Sequence, residues 1–204
     1  MKLYSYFRSS AAYRTRIALN LKSLSYESVP VHLIKEGGQH RKLEYRAINP
    51  QMKVPALTLD NGEVLTENVA VLQYIADRSP AAKLAPAAGT MERYRLMEWL
   101  SFINSEVHKA FSPLFREDAP EDTKQYTRKN LAIRLDYLER VLGSKTFLMG
   151  EQFTIADGYL FTVLSWGQHV NLDIGKWPQL KRFVERVGAR PHVIEALKAE
   201  GQKK

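Results

Sequence analysis

Two adjacent serines, Ser9 and Ser10, stand where a β-rich lead-in gives way to a helical pattern, in the stretch YFRSSAAYRTRIALNLK (residues 6–22). Hydroxyls at such a junction can cap the helix by accepting its first N–H groups. They can also hold a ligand against the helix start, where unpaired N–H groups and the macrodipole favour negative charge. A second junction of this kind is Thr66-Glu67-Asn68, ahead of VAVLQYIAD. Capping and anion binding are both open there too. Free N–H groups suit a carboxylate while Glu67 suits an amino group, the two ends of an α-amino acid. A third candidate is Val54-Pro55, at the start of a strand pattern. Proline is ordinary at an edge strand, whereas a cis bond would aim the Val54 N–H and C=O at a ligand.

Composition narrows the chemistry. The 204 residues include no cysteine, which excludes disulfides, thiolate metal sites and a cysteine nucleophile. The histidines (His32, His40, His108, His169, His192) show no paired ligand spacing, so no metal is assigned. The net charge of +8 favours anionic partners. Lys and Arg are scattered among Asp and Glu rather than gathered in a basic stripe with aromatics, so a small anionic ligand fits better than nucleic acid. No apolar run approaches the roughly 18 residues of a membrane span. The start, MKLYSYF, lacks a secretory h-region, and a cytoplasmic location is expected.

The elements that must position these residues fall into two groups. KLYSYF and YESVPVHL read as strands, with AAYRTRIALNLKS helical between them and RKLEYRAIN a short helix closed by Asn49 and Pro50. KVPALTLDNGEVLTEN is a strand pair joined at Asp60-Asn61-Gly62, and NVAVLQYIADRS is a helix. The order is βαβαββα over residues 1–80. Residues 81–89, AAKLAPAAG, read as a linker. From residue 90 to 204 the patterns are helical almost throughout, with a break near Pro113 in the first long segment. An α+β domain followed by an all-α domain is predicted. In FTIAD, Thr154 and Asp157 have the spacing of a capping box. Gly158 stands where a hydrophobic staple to Phe153 would need a side chain, so this cap should rest on hydrogen bonds. Asp157 is read as structural.

The motifs YSYFRSSAAYRTRIAL, NPQMKVPALTLDNGEVLTEN, EWLSFINSEVHKAFSPLF and GEQFTIADGYLFTVLSW together resemble those of soluble glutathione transferases over essentially the whole chain. The resemblance implies a thioredoxin-like N-terminal domain, a helical-bundle C-terminal domain carrying the hydrophobic substrate site, and a homodimer. YSYFRSS, LIKEGGQH and INP are similar to the zeta class, which includes maleylacetoacetate isomerases; the second half is similar to the bacterial beta class. Both comparisons put the family's cysteine at Ala11. A beta-class mixed disulfide with glutathione is therefore closed to this chain.

What the resemblance implies for the site goes residue by residue. Ser9, with Ser10 second, should donate to the sulfur of glutathione; capping alone is the alternative for either. Val54, preceding Pro55, should exchange backbone hydrogen bonds with the cysteinyl moiety. Glu67 and Asn68 should hold the γ-glutamyl end, although serine is more usual at the second position. Lys35 should reach the glycyl carboxylate, and His40 replaces a zeta-class glutamine. Ser105 and Glu106 match beta-class positions that reach the γ-glutamyl group across the dimer. His108 and Lys109 match an active-site pair, with His108 polarising the electrophile or holding a water. Phe111 and Trp166 are candidate walls of the substrate pocket, and Arg8 would bind an acidic second substrate. The leading expectation is conjugation of glutathione, as co-substrate, to small hydrophobic electrophiles. Glutathione-dependent cis–trans isomerisation of a maleyl acid and a non-catalytic binding role stand as alternatives. A thiol reductase is disfavoured because that chemistry runs through an enzyme cysteine.

Overall fold

The structure, a computed structural model, describes residues 1–21, 24–78 and 80–198. Residues 199–204, the end of the expected helical domain, lie outside the described residues. The chain divides into two compact units, Met1–Ala82 with Pro191–Lys204, and Lys83–Arg190.

The first unit runs β1 (Lys2–Ser5), α1 (Ser10–Leu21), β2 (Glu27–Pro30), α2 (Leu43–Ile48), β3 (Ala56–Thr58), β4 (Val64–Leu65) and α3 (Asn68–Arg78). This is the βαβαββα order read from the pattern. The four strands lie in the order β2-β1-β3-β4. β1 is parallel to β2 and antiparallel to β3, and β3 is antiparallel to β4. The hairpin closes on Leu59 N–H donating to Glu63 C=O at 2.8 Å, with Gly62 at φ 86° in the loop. That dihedral is where glycine carries no Cβ penalty.

Sheet direction decides which loops meet. The C-terminal end of β1 lies beside that of β2, where Val31 N–H donates to Ser5 C=O at 2.8 Å. Antiparallel pairing brings the N-terminal end of β3 and the C-terminal end of β4 to the same edge. The segments after Ser5, after Pro30, before Ala56 and after Leu65 therefore gather at one edge of the sheet. They contain every candidate ligand contact of this unit.

Helix α1 is buried from Ala12 to Leu19, including Arg14, Thr15 and Arg16. Arg16 Nη1 donates to the buried Ser5 Oγ at 2.7 Å. A helix apolar on one side only would be read as surface. This one is enclosed because α3 and a last helix, α9 (Pro191–Lys198), both pack on it. Tyr13 Oη donates to Val193 C=O at 3.4 Å, and Val193 and Ala196 are buried. The expected helical domain of residues 90–204 is thus corrected: its final helix belongs to the first unit. Chain order alone had grouped it with the helices before it.

The second unit contains α4 (Met91–Phe102), α5 (Lys109–Phe111), α6 (Glu121–Leu142), α7 (Ile155–Leu164) and α8 (Pro178–Gly188). Thr90 Oγ1 caps α4 by accepting from Arg93 N–H at 3.2 Å. The expected long first helix is interrupted earlier than Pro113, by a π-helical turn at Ile103–His108. Leu131, Leu135, Leu138 and Leu142 give α6 its buried stripe, and α7 is buried at every position. Among the described residues no helix is long and apolar enough to cross a membrane.

The capping box of α7 forms. The Thr154 N–H and Oγ1 donate to Asp157 Oδ2 at 2.7 and 2.8 Å. Asp157 Oδ1 also accepts from Leu148 N–H at 2.8 Å, which ties in the turn before the helix. Burial still pushes this carboxyl up to about 6, against the pull of those hydrogen bonds.

Candidate functional site

Ser9 is the N-cap of α1. Its Oγ accepts from Ala12 N–H at 3.2 Å, its N–H donates to Tyr6 C=O at 2.9 Å, and its C=O accepts from Tyr13 N–H at 2.8 Å. A serine oxygen that accepts here keeps its own hydrogen to donate elsewhere. Ser10 opens the helix, half-buried, and its C=O accepts from Arg14 Nε at 3.3 Å. Arg8 is exposed in the preceding turn, its guanidinium 5.4 Å from the centre of the Phe7 ring. Tyr6 is buried in an edge-to-face cluster with Phe7 and His32, at 4.7 and 5.0 Å.

The segment after β2 is organised by His32, which the sequence reading passed over. Its Nδ1 accepts from the N–H groups of Ile34 and Lys35, at 3.2 and 3.0 Å. Its backbone exchanges hydrogen bonds with Gln39: the His32 N–H with Oε1 at 2.8 Å, the Gln39 N–H with His32 C=O at 2.7 Å. Lys35 is exposed at the tip this creates. The His40 ring lies over Gly38, where a Cβ would come within 2.5 Å of Cε1, so Gly38 makes room for that ring.

The Val54–Pro55 peptide bond is cis, Val54 half-buried and Pro55 buried. Just before it, Lys53 C=O accepts from Tyr45 Oη at 2.6 Å and from Asn49 Nδ2 at 2.8 Å. Burial pushes the Tyr45 phenol up to about 12, and the phenol remains a donor. Two donors from α2 and its C-cap thus fix the backbone one residue ahead of Val54. The reading of RKLEYRAIN as a short helix placed these residues but gave no sign of this task.

Glu67 is exposed, with φ at 61°, and its C=O accepts from Val71 N–H at 3.0 Å. The left-handed region costs a non-glycine residue about 1–2 kcal/mol, and such outliers cluster at ligand clamps. The Asn68 side chain is half-buried at the start of α3. Its Nδ2 donates to Ala11 C=O at 3.0 Å and to Thr15 Oγ1 at 2.8 Å. The amide nitrogen therefore joins the start of α3 to the first two turns of α1.

In the helical unit the structure brings His108 and Trp166 together, edge to face at 4.8 Å. Lys109 is exposed beside His108. Phe111 is corrected as a pocket wall: at 0% exposure it is core. It backs Trp166 from 5.5 Å, because the inward face of the helix carries Val107 and Phe111 together. Phe115, 48% exposed and 5.5 Å from Trp166 on an edge-to-face contact, is the aromatic that meets solvent instead. Ser105 and Glu106 are engaged within their own unit. Ser105 Oγ donates to Ser101 C=O at 3.0 Å, and Glu106 Oε2 takes Arg134 Nη2 and Nε at 3.0 and 3.2 Å. His108 Nδ1 is 2.7 Å from Tyr159 Oη, which donates to Asn104 Oδ1 at 2.9 Å. Neither partner was singled out from the sequence.

The chain is similar to known proteins over its whole length. Residues 3–83 match the family described as glutathione S-transferase, N-terminal domain, and residues 102–191 its C-terminal domain. Over 203 residues the chain is 40% identical to glutathione S-transferase GstA of Escherichia coli O157:H7, covering 100% of both chains. It is 33% identical over 202 residues to a maleylacetoacetate isomerase of Pseudomonas aeruginosa, across 96% of this chain and 95% of that one. A sphingomonad glutathione S-transferase solved with glutathione superposes with a TM-score of 0.90 at 40% identity, covering 100% of both. Sequence, fold and these similarities lead to one conclusion: the chain belongs to the glutathione S-transferase family.

Proposed function

We propose that the protein conjugates glutathione to small hydrophobic electrophiles, with Ser9 beside the sulfur in place of a cysteine. The observation that carries this is Ser9 Oγ accepting from Ala12 N–H, which holds the hydroxyl at the helix start with its hydrogen available. A free thiol near pKa 8.5 is only a few per cent thiolate at neutral pH. A hydroxyl donor and the helix N-terminus both favour the anion, and the thiolate is the nucleophile. The cysteinyl moiety is assigned to the Val54 backbone and the γ-glutamyl end to Glu67 and the N–H groups opening α3. Lys35 and His40 are assigned to the glycyl carboxylate. Glutathione bound to the sphingomonad relative supports the co-substrate. His108, Lys109 and Trp166 are assigned to the electrophile, joined by Phe115.

The test is the pKa of bound glutathione, read from thiolate absorbance against pH for wild type and Ser9→Ala. A value well below 8.5 in wild type that rises in the variant supports the serine. No lowering in the wild type sinks the transferase reading in favour of a binding protein.

One observation favours a second reading. Arg8 is exposed next to Ser9, where it would meet an acidic substrate, and a relative is named maleylacetoacetate isomerase. Turnover of a maleyl acid without turnover of an aryl halide would select isomerisation. A homodimer is part of the proposal. The exposed Met91, Tyr94 and Met97 on α4, and Tyr126, Ile133 and Tyr137 on α6, support it. Light scattering at working concentration tests it.

A further inference from the structure

We infer that His32 is a positioning residue whose Nδ1 holds the backbone of Lys35, so that the site favours glutathione over the same dipeptide without its glycine. The inference rests on the reading that Lys35 meets the glycyl carboxylate, and it names the group that gives that lysine a fixed origin.

The ring nitrogen is assigned by its donors. His32 Nδ1 lies 3.2 Å from the Ile34 nitrogen and 3.0 Å from the Lys35 nitrogen. Both are backbone N–H groups, which only donate, so Nδ1 accepts from each. An accepting Nδ1 carries no hydrogen, and the neutral ring holds its one N–H on Nε2. Any further partner of the ring leaves this unchanged, because neither backbone group can accept.

The loop needs such an anchor. Glu36 has φ 56°, and Gly37 and Gly38 follow at 74° and 95°. This left-handed run carries a Cβ penalty at Glu36. Lys35 C=O accepts from Gly38 N–H at 2.9 Å across the turn. At its base, the His32 N–H donates to Gln39 Oε1 at 2.8 Å, and the His32 C=O accepts from the Gln39 N–H at 2.7 Å. The chain from 32 to 39 is thus closed at its base and across its tip. Between the two, Ile34 and Lys35 are both bound to one ring nitrogen. Without that acceptor their N–H groups turn to water, and the exposed Lys35 side chain starts from a backbone free to move.

The ring is held in turn by the segment that leads to Ser9. It lies edge to face with Tyr6 at 5.0 Å and tilted against Phe7 at 6.0 Å. Tyr6 C=O accepts from Ser9 N–H at 2.9 Å. Parallel pairing of β1 with β2 brings the two segments out side by side, and Val31 N–H on Ser5 C=O continues it to the residue before His32. The Lys35 backbone is therefore referred to the turn that carries the proposed sulfur contact. Glutathione has a carboxylate one residue beyond its cysteine, whereas γ-glutamylcysteine ends at the cysteine. A lysine held at one place rewards the first and misses the second.

The experiment is titration calorimetry of the full chain with glutathione and with γ-glutamylcysteine, for two complementary variants. His32→Phe keeps a ring beside Tyr6 and Phe7 and loses the acceptor. His32→Asn loses the ring but sets an amide oxygen where Nδ1 stood, as asparagine does when it accepts from an N–H two residues on. His32→Phe should bind glutathione about five- to tenfold more weakly, the low end of what two hydrogen bonds are worth, with γ-glutamylcysteine unchanged. His32→Asn should bind both close to wild type. In wild type at neutral pH, ¹⁵N NMR of the histidine rings should show the His32 hydrogen on Nε2, the signal being assigned by its loss in His32→Phe. A hydrogen on Nδ1, equal weakening in the two variants, or equal loss of the two ligands overturns the inference. Lys35→Ala tests the underlying reading separately and should weaken glutathione alone. Unchanged glutathione binding there overturns the place given to Lys35, whatever the ring nitrogen shows.

Discussion

Ser9 caps α1, and its proposed donation to sulfur would be a second duty that separate substitutions can tell apart. Removing an N-cap serine for alanine costs about 1 kcal/mol, whereas glycine at the same place costs only a few tenths. Ser9→Gly should therefore unfold in urea close to wild type, and Ser9→Ala measurably earlier. Both should show the same rise in the pKa of bound glutathione. If the two variants differ in that pKa as they differ in stability, the effect is capping and not donation to sulfur. Asp157 gives a second prediction at this scale. Its carboxyl is pushed up to about 6 by burial, from an ordinary value of 3.8. Between those values the folded chain keeps a proton that the unfolded chain has released. Its contribution to stability is thus fullest below about pH 4 and is lost as pH rises through 6, by roughly 2–3 kcal/mol. Urea midpoints of Asp157→Asn relative to wild type should show that slope removed; parallel curves would mean that Asp157 keeps its charge throughout.

At the scale of elements, the site depends on backbone held by side chains that touch no ligand in the proposed reading. Asn49 and Tyr45 both donate to Lys53 C=O, directly ahead of the cis peptide. Asn49→Ala removes one of two donors and leaves the strands intact. One hydrogen bond is worth about 0.5–1.5 kcal/mol net, so KM for glutathione should rise by roughly 2- to 10-fold with kcat held. An equal loss in both would show that the bond stabilises the unit generally. This is also where sequence legibility ends. Strand and helix order followed from alternation and from turn residues at Asp60-Asn61-Gly62, because those signals are local. The capping box at Thr154 and Asp157 was legible for the same reason. The π-helical turn at Ile103–His108 has no local sequence mark, and its side chains keep an ordinary helical spacing. Asn68 binding across to α1, His32 gathering the N–H groups of Ile34 and Lys35, and Phe111 turned inward all depend on partners that folding brings close. Residue type allowed each and specified none.

For the whole molecule, two features carry weight. The net charge of +8 is spread over the chain. A field of that sign speeds the approach of an anionic tripeptide and is screened within about 10 Å at 0.1 M salt. Raising ionic strength should lower kcat/KM for glutathione, mainly through KM; a flat response would leave binding to local contacts alone. The second feature is the return of the last helix to the first unit. Truncation after Arg190 should strip the cover from α1, and hydrogen exchange of the Ala12–Leu19 amides should quicken while those of α7 keep their protection. Uniform quickening would indicate one cooperative whole rather than two units.

Ala11 lies half-buried in the first turn of α1, where the family's pattern would put a sulfur, and its carbonyl is held by Asn68. Because none of the 204 residues is cysteine, the protein brings no sulfhydryl of its own to a reaction mixture. A colour reagent for thiols counts only the tripeptide, turnover can be followed by the disappearance of that signal against a blank background, and alkylating reagents have no protein thiol to attack. A single cysteine introduced on the surface would accept one dye per chain, with no native thiol to compete for it. A composition without cysteine thus makes the molecule silent to thiol reagents in its own assay.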